Sequence, residues 1–167
     1  MGRHLTLEEV VRLMDQARAG GVVGRARKTR LVDARPARAG AVVVTRIAGE
    51  GEETRSRPAA TGDWVVRNRC PETGNEEYLV SAKTFAERYA LHDGDPGPEG
   101  WREAVPRGKV VRYFVLGHAQ GEFEFDAPWG EPMRARPGDA IVQDPDVPDD
   151  IYRVASASFR SSYEILD

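Results

Sequence analysis

Residues 61–91 read TGDWVVRNRCPETGNEEYLVSAKTFAERYAL, and residues 137–166 read PGDAIVQDPDVPDDIYRVASASFRSSYEIL. Set one above the other, Gly62-Asp63 falls on Gly138-Asp139, Val66 on Val142, Tyr78 on Tyr152, Val80 on Val154, Phe85 on Phe159 and Tyr89 on Tyr163. The match runs upstream as well. Gly51-Glu52 with Arg55 and Arg57 falls on Gly130-Glu131 with Arg134 and Arg136, once three extra residues before Gly62 are allowed. Self-similarity of this kind within one chain points to an internal duplication, and it organises the rest of the reading.

Each copy predicts the same local structure. Gly-Asp opens a strand, a loop rich in Pro, Gly, Asn or Asp follows, and a second strand leads into a short helix. Phe85 and Tyr89, like Phe159 and Tyr163, stand four apart and would share one face of that helix. All six recurring aromatics, with Tyr78 and Tyr152, are expected to be largely buried. Upstream, residues 41–47 and 52–57 form a hairpin in the first copy, with its turn at Gly49-Glu50-Gly51. Residues 122–126 and 131–136 do so in the second, turning at Pro128-Trp129-Gly130. Further strands are expected around 22–32 and 109–116.

The first element is a helix with both ends marked. Thr6 and Glu9 have the spacing of a capping box, and Gly20-Gly21 supplies a stop. Leu7, Val10, Val11, Met14 and Ala17 make a stripe that must lie on something else. The expected fold is therefore α+β, an N-terminal helix followed by two pseudo-symmetric antiparallel-strand units, each ending in a short helix. Its boundaries are 1–21 for the helix, 22–91 and 101–167 for the copies, and 92–100 (HDGDPGPEG) for the linker. One copy alone would bury only a thin core, so the copies are expected to pack as one globular body.

The pattern Gly62-Asp63-Trp64-Val65-Val66, then Glu77-Tyr78, then Phe85 and Tyr89, returns as Pro137-Gly138-Asp139, Tyr152, Phe159, Tyr163-Glu164. It resembles the short C-terminal module of many small phage and bacterial proteins, read as PGD(W/Y), two aliphatics, GExY, then FxxxYE. The second copy departs by placing Ala140 where an aromatic is usual. The resemblance covers about 60 residues and implies a fold; no established activity attaches to the module, so it implies no catalytic residue.

Length and charge set the outer limits. At 167 residues the chain is long enough for one domain or two small units sharing a core. Cys70 is the only cysteine, which excludes an internal disulfide and any multi-cysteine metal site. The start of the chain lacks the apolar run of a signal peptide, and nothing approaches the roughly 20 apolar residues that span a bilayer. A soluble, cytoplasmic protein with no membrane association is the expectation. The net charge of −3 gives no general pull toward nucleic acid. Its distribution is uneven, however: residues 1–46 hold ten Arg or Lys against four Asp or Glu, and the remainder hold 14 against 23.

Familiar chemistry is scarce. There is no P-loop and no G-x-G-x-x-G, and Gly49-Glu50-Gly51-Glu52 lacks the small residues that let phosphate approach a backbone nest. His4, His92 and His118 lack ligand spacing, and Asp144–Asp150 lacks the Gly and Glu of a calcium loop. Neither a metal nor a cofactor is expected. Cys70 beside Pro71 has no evident base, so a nucleophile reading is weak.

Two constellations remain. Arg27, Lys28 and Arg30, with Arg55, are candidate ligand-binding residues for an anion, and Glu52 and Glu53 are weak catalytic candidates beside them. In a strand, Arg25 and Arg27 face one way and Lys28 the other, so one set must point inward. The simpler reading makes these cations structural partners of Glu52 or Glu53. In the second constellation, Trp129 and Phe125 of the FEFDAPWGEPM hairpin are candidate partner-binding residues, or else a lid over the core. Arg55 with Arg134, and Asp63 with Asp139, most simply brace each hairpin against its Gly-Asp turn.

The leading functional expectation is a non-catalytic binding or accessory module for an anionic small molecule or a protein partner. The alternatives are a small enzyme acting on an anionic, nucleotide-like substrate through Arg/Lys clamps and a Glu acid or base, and a phage-derived structural or inhibitory protein.

Overall fold

The computed structural model describes residues 3–48, 53–128 and 132–167. In chain order the elements are β1 (Arg3–His4), α1 (Leu7–Ala19), β2 (Gly24–Lys28), β3 (Val32–Pro36), β4 (Val44–Arg46), β5 (Glu53–Arg55), β6 (Trp64–Asn68), β7 (Glu77–Val80), α2 (Ala82–Arg88) and β8 (Tyr89–Leu91). There follow β9 (Arg102–Pro106), β10 (Val110–Val115), β11 (Phe123–Asp126), β12 (Pro132–Ala135), β13 (Ala140–Asp144), β14 (Val147–Val154), α3 (Ser156–Ser162) and β15 (Tyr163–Ile165). The chain divides into two compact units, Met1–Arg27 with Val110–Asp167, and Lys28–Lys109.

The first unit is built on a five-stranded sheet of order β14-β13-β10-β2-β15. Alternation along β10 and β13 sends Val111, Tyr113, Ala140 and Val142 to the face that carries Phe159 of α3. Phe114 and Ile141 go to the other face, which α1 covers with Val10 and Met14. Both α1 residues are fully buried, as the stripe predicts. The Thr6 side chain accepts from Glu9 N, and the Glu9 carboxylate accepts from Thr6 N, so the capping box is complete. A three-stranded sheet, β1-β11-β12, adds Phe123 and Phe125 to the α1 face, with β1 parallel to β11.

The second unit is built on an antiparallel sheet of order β7-β6-β3-β9-β8. One face buries Val32, Ala34, Val66, Val80, Ala104 and, from α2 and β8, Phe85 and Tyr89. Trp64 stacks on Phe85 at 4.4 Å between ring centroids. On the opposite face Val65 and Leu79 are covered by Val43 and Ala59, which flank the two-stranded hairpin β4-β5.

Both Gly-Asp pairs form a turn that demands glycine, with φ of +92° at Gly62 and +98° at Gly138. Buried aspartates tie these turns down. Asp63 Oδ2 accepts from Ala60 N and from Arg57 Nη1, each at 2.9 Å. Asp139 accepts from Arg136 N at 3.0 Å and Ser156 N at 3.1 Å, with Arg153 3.7 Å away. The brace on Asp63 is thus Arg57, not Arg55, and Arg134 binds Glu124 rather than the second turn.

The expected α+β architecture of a helix and two pseudo-symmetric strand units is overturned. Among the described residues 41% are in strands, in four sheets, against 21% in helices, so the protein is mostly β. Residues 22–32 form two strands, β2 and β3, which belong to different sheets. Different additions also surround the two five-stranded sheets: α1 and the β1-β11-β12 sheet in one unit, the β4-β5 hairpin in the other. Turn signals mark where strands begin and end, but strand partners are selected by side-chain fit across long stretches of chain, which a local reading does not see.

A second correction concerns the aromatics. Tyr89 and Tyr163 do not continue the helices; each opens a short strand after its helix ends at Arg88 or Ser162. Their rings still lie 5.4 and 4.9 Å from Phe85 and Phe159. Phe85, Tyr89 and Phe159 are buried, whereas Tyr78, Tyr152 and Tyr163 are half-buried.

Candidate functional site

The cations singled out in the sequence do not converge. Arg27 is exposed and pairs with Glu164 at 3.4 Å, while its neighbour Arg25 binds Asp167 through Nε at 2.8 Å. Among the described residues, the acids that pair with β2 are Glu164 and Asp167, near the end of the sequence. Arg30 is exposed beyond the end of β2, and Arg55 is exposed at the end of β5, opposite Val44. Glu53 stands in β5 opposite Arg46. Glu52 and Trp129 lie outside the described residues. Phe125, a candidate partner-binding residue, is completely buried beside Phe123, 5.8 Å between centroids, so its ring is a core element.

Lys28 has a different setting. Its ammonium donates to Asn68 Oδ1 at 2.9 Å, Tyr78 Oη at 3.1 Å and Tyr89 Oη at 2.9 Å, and the two hydroxyls lie 3.0 Å apart. It also sits 5.7 and 5.3 Å from the centroids of the Tyr78 and Tyr89 rings. Burial pushes the Tyr89 phenol up. The charge and hydrogen bond of Lys28, the bond from Tyr78 and the charge of Arg88 outweigh that effect and hold it below its ordinary value. A lysine has three N–H donors, and all three are used inside this cluster. Lys28 is thus a tether for the tyrosines, with no donor left to grip an anion.

The exposed chemistry of the second unit is concentrated elsewhere, on the sheet face opposite Tyr89. Register places Arg67 of β6 opposite Asp33 of β3, and Asp33 opposite Glu103 of β9. Period-two alternation adds Arg35 to the same face of β3, Arg69 just past β6, and Trp101 just before β9. Arg69 Nη2 binds Asp33 Oδ1 at 2.8 Å and Glu103 Oε2 at 3.0 Å. The other Glu103 oxygen lies 2.8 Å from His92 Nδ1. Burial raises the Asp33 carboxyl, but hydrogen bonds and charge from Arg69 and Arg67 more than offset this and hold it below the usual range.

Arg35 and Arg67 are held differently from Arg69. Their guanidinium carbons lie 4.4 and 4.1 Å from the centroid of the Trp101 ring. Their polar ties are long: Arg67 Nη2 reaches Asp33 at 3.4 Å, and Arg35 Nη1 reaches the Glu99 carbonyl at 3.4 Å and its carboxylate at 3.5 Å. Each side chain is one-third exposed. The indole therefore contacts both guanidinium groups, and each side chain keeps part of its surface in solvent. Glu99 adopts φ +60°, a left-handed conformation uncommon for a residue with a Cβ, in the short turn that delivers Trp101.

No protein family, curated protein or solved structure matches the chain.

Among the described residues no group of three or more His, Cys, Asp or Glu is placed to hold a metal ion. Cys70 is buried. No helix among them is long and apolar enough to cross a membrane. The Arg35–Trp101–Arg67 cluster was not legible in the sequence because its parts come from two strands, β3 and β6, and the turn before β9. The available signal was the alternation itself: Asp33 with Arg35, Arg67 with Arg69, and Trp101 with Glu103 all stand two residues apart.

Proposed function

We propose that the protein is a binding module for an anionic ligand bearing a phosphate or carboxylate head, and that Arg35 and Arg67 receive it. The observation that carries this reading is the pair of guanidinium groups stacked on Trp101 with only long polar ties of their own. A guanidinium presents five N–H donors in a planar fork that matches phosphate and carboxylate oxygens. Stacking on an indole orders that fork before a ligand arrives and lowers the entropy lost on binding. The competing acid on Arg35 is Glu99, three-quarters exposed and 3.5 Å away, an arrangement worth little in water and readily displaced. Arg69, tightly bound by Asp33 and Glu103, acts as a fixed support.

The test is calorimetric titration of the full chain with inorganic phosphate, a nucleoside monophosphate and a glutamate-rich peptide at two ionic strengths. Binding by at least one probe, weakened by salt and lost in the double variant R35E/R67E, is the expected result. The variant R27E/R30E/R55E should bind as the parent does. Wild-type protein that binds none of the probes, or binding unchanged in R35E/R67E, would overturn the reading.

A further inference from the structure

Divided at Gly94, the chain keeps four strands of each five-stranded sheet in one part and supplies the fifth from the other. β2 stands immediately before β3 in sequence, separated by residues 29–31, yet it pairs with β10. β9 stands immediately before β10, separated by residues 107–109, yet it pairs with β3. Both exchanged strands are internal to their sheets. Ala26 of β2 is fully buried opposite Val111, and Ala104 of β9 is fully buried opposite Val32. The outermost strands depend on the exchange too, because β15 adjoins only β2 and β8 adjoins only β9.

We infer that residues 1–94 and residues 95–167 complete each other's sheets, so that they are obligate partners and neither folds without the other. Without residues 1–94, the sheet containing β10 loses β2, β15 loses its neighbour, and Phe114, Phe123, Ile141 and Ile151 lose the cover of Leu5, Val10 and Met14. Without residues 95–167, β3 becomes an unpaired edge and β8, with the Tyr89 backbone, has no strand beside it. Unpaired edges and uncovered apolar faces are the features that keep isolated fragments from folding. The partner each part requires is its complement from this same chain.

A nicked full-length chain tests this. A protease recognition sequence is inserted after Gly94, where φ is +123°, an added Cβ would meet nothing within 4 Å, and the flanking residues are exposed. The expected result is that the cut halves co-elute as one species without denaturant. After separation in denaturant, neither half should melt cooperatively, and equimolar mixing should restore the melt. Should the insertion disturb the uncut protein, co-expression of the two parts as separate chains gives the same readout. Halves that separate without denaturant, or a single half that melts cooperatively alone, would overturn the inference.

Discussion

Lys28 Nζ lies 2.9 Å from the hydroxyl oxygen of Tyr89, and among the described residues no carboxylate shares that contact. Among the described residues the ammonium is met by an amide oxygen and two phenols, so the charge that would balance it best is a phenolate. This makes Tyr89 the tyrosine whose ionisation folding favours. Its folded pKa is depressed, so its contribution to stability should grow as pH rises through the folded value toward the unfolded one near 10. It should be lost again as pH falls back through the folded value. Ultraviolet titration should find a tyrosine step below the ordinary phenol range. Y89F should remove that step and K28M should move it upward; an unchanged titration in K28M would show that Lys28 does not set it.

Asp33 links Arg67 and Arg69 across β3 and β6. Its carboxyl is held low, so its stabilising effect is present above the unfolded value of about 3.9 and fades as pH falls through the folded one. Thermal melts below about pH 4 should therefore show a flatter acid decline in D33N than in the wild type. At neutral pH D33N should be the less stable of the two. Parallel curves would mean that the network contributes no pH dependence.

Phe85 is packed between Trp64 and Tyr89, and Phe159 between Tyr113 and Tyr163. F85A and F159A should each lower unfolding free energy by about 3 to 5 kcal/mol, the cost of a large aromatic cavity. Equilibrium denaturation reads this directly, and a loss below about 1 kcal/mol in both would remove these rings from the core.

Thr6 closes a capping box whose helix buries Val10 and Met14. T6A should cost about 1 kcal/mol, with faster amide exchange confined to the first turn of α1. T6S should restore it.

The sequence by itself determined the pieces with short-range causes. Thr6, Glu9 and Gly20 mark α1, and its stripe names the residues it buries, because a helix is closed by bonds within one turn. Gly62-Asp63 and Gly138-Asp139 mark the starts of β6 and β13 for an equally local reason: glycine takes the positive φ without the clash a Cβ would bring, and the aspartate bonds backbone a few residues away. Tertiary structure decided everything that depends on which strand lies beside which. Nothing local to Arg25 or Arg27 names Asp167 or Glu164, and nothing near Lys28 names Tyr89. The sites that matter most, Lys28 among its tyrosines and Arg35 with Arg67 on Trp101, exist only after β3 lies between β6 and β9 and β6 lies beside β7. Strand pairing is a choice among distant segments with similar alternation, and its free energy comes from whole-sheet packing rather than from any residue's own preference.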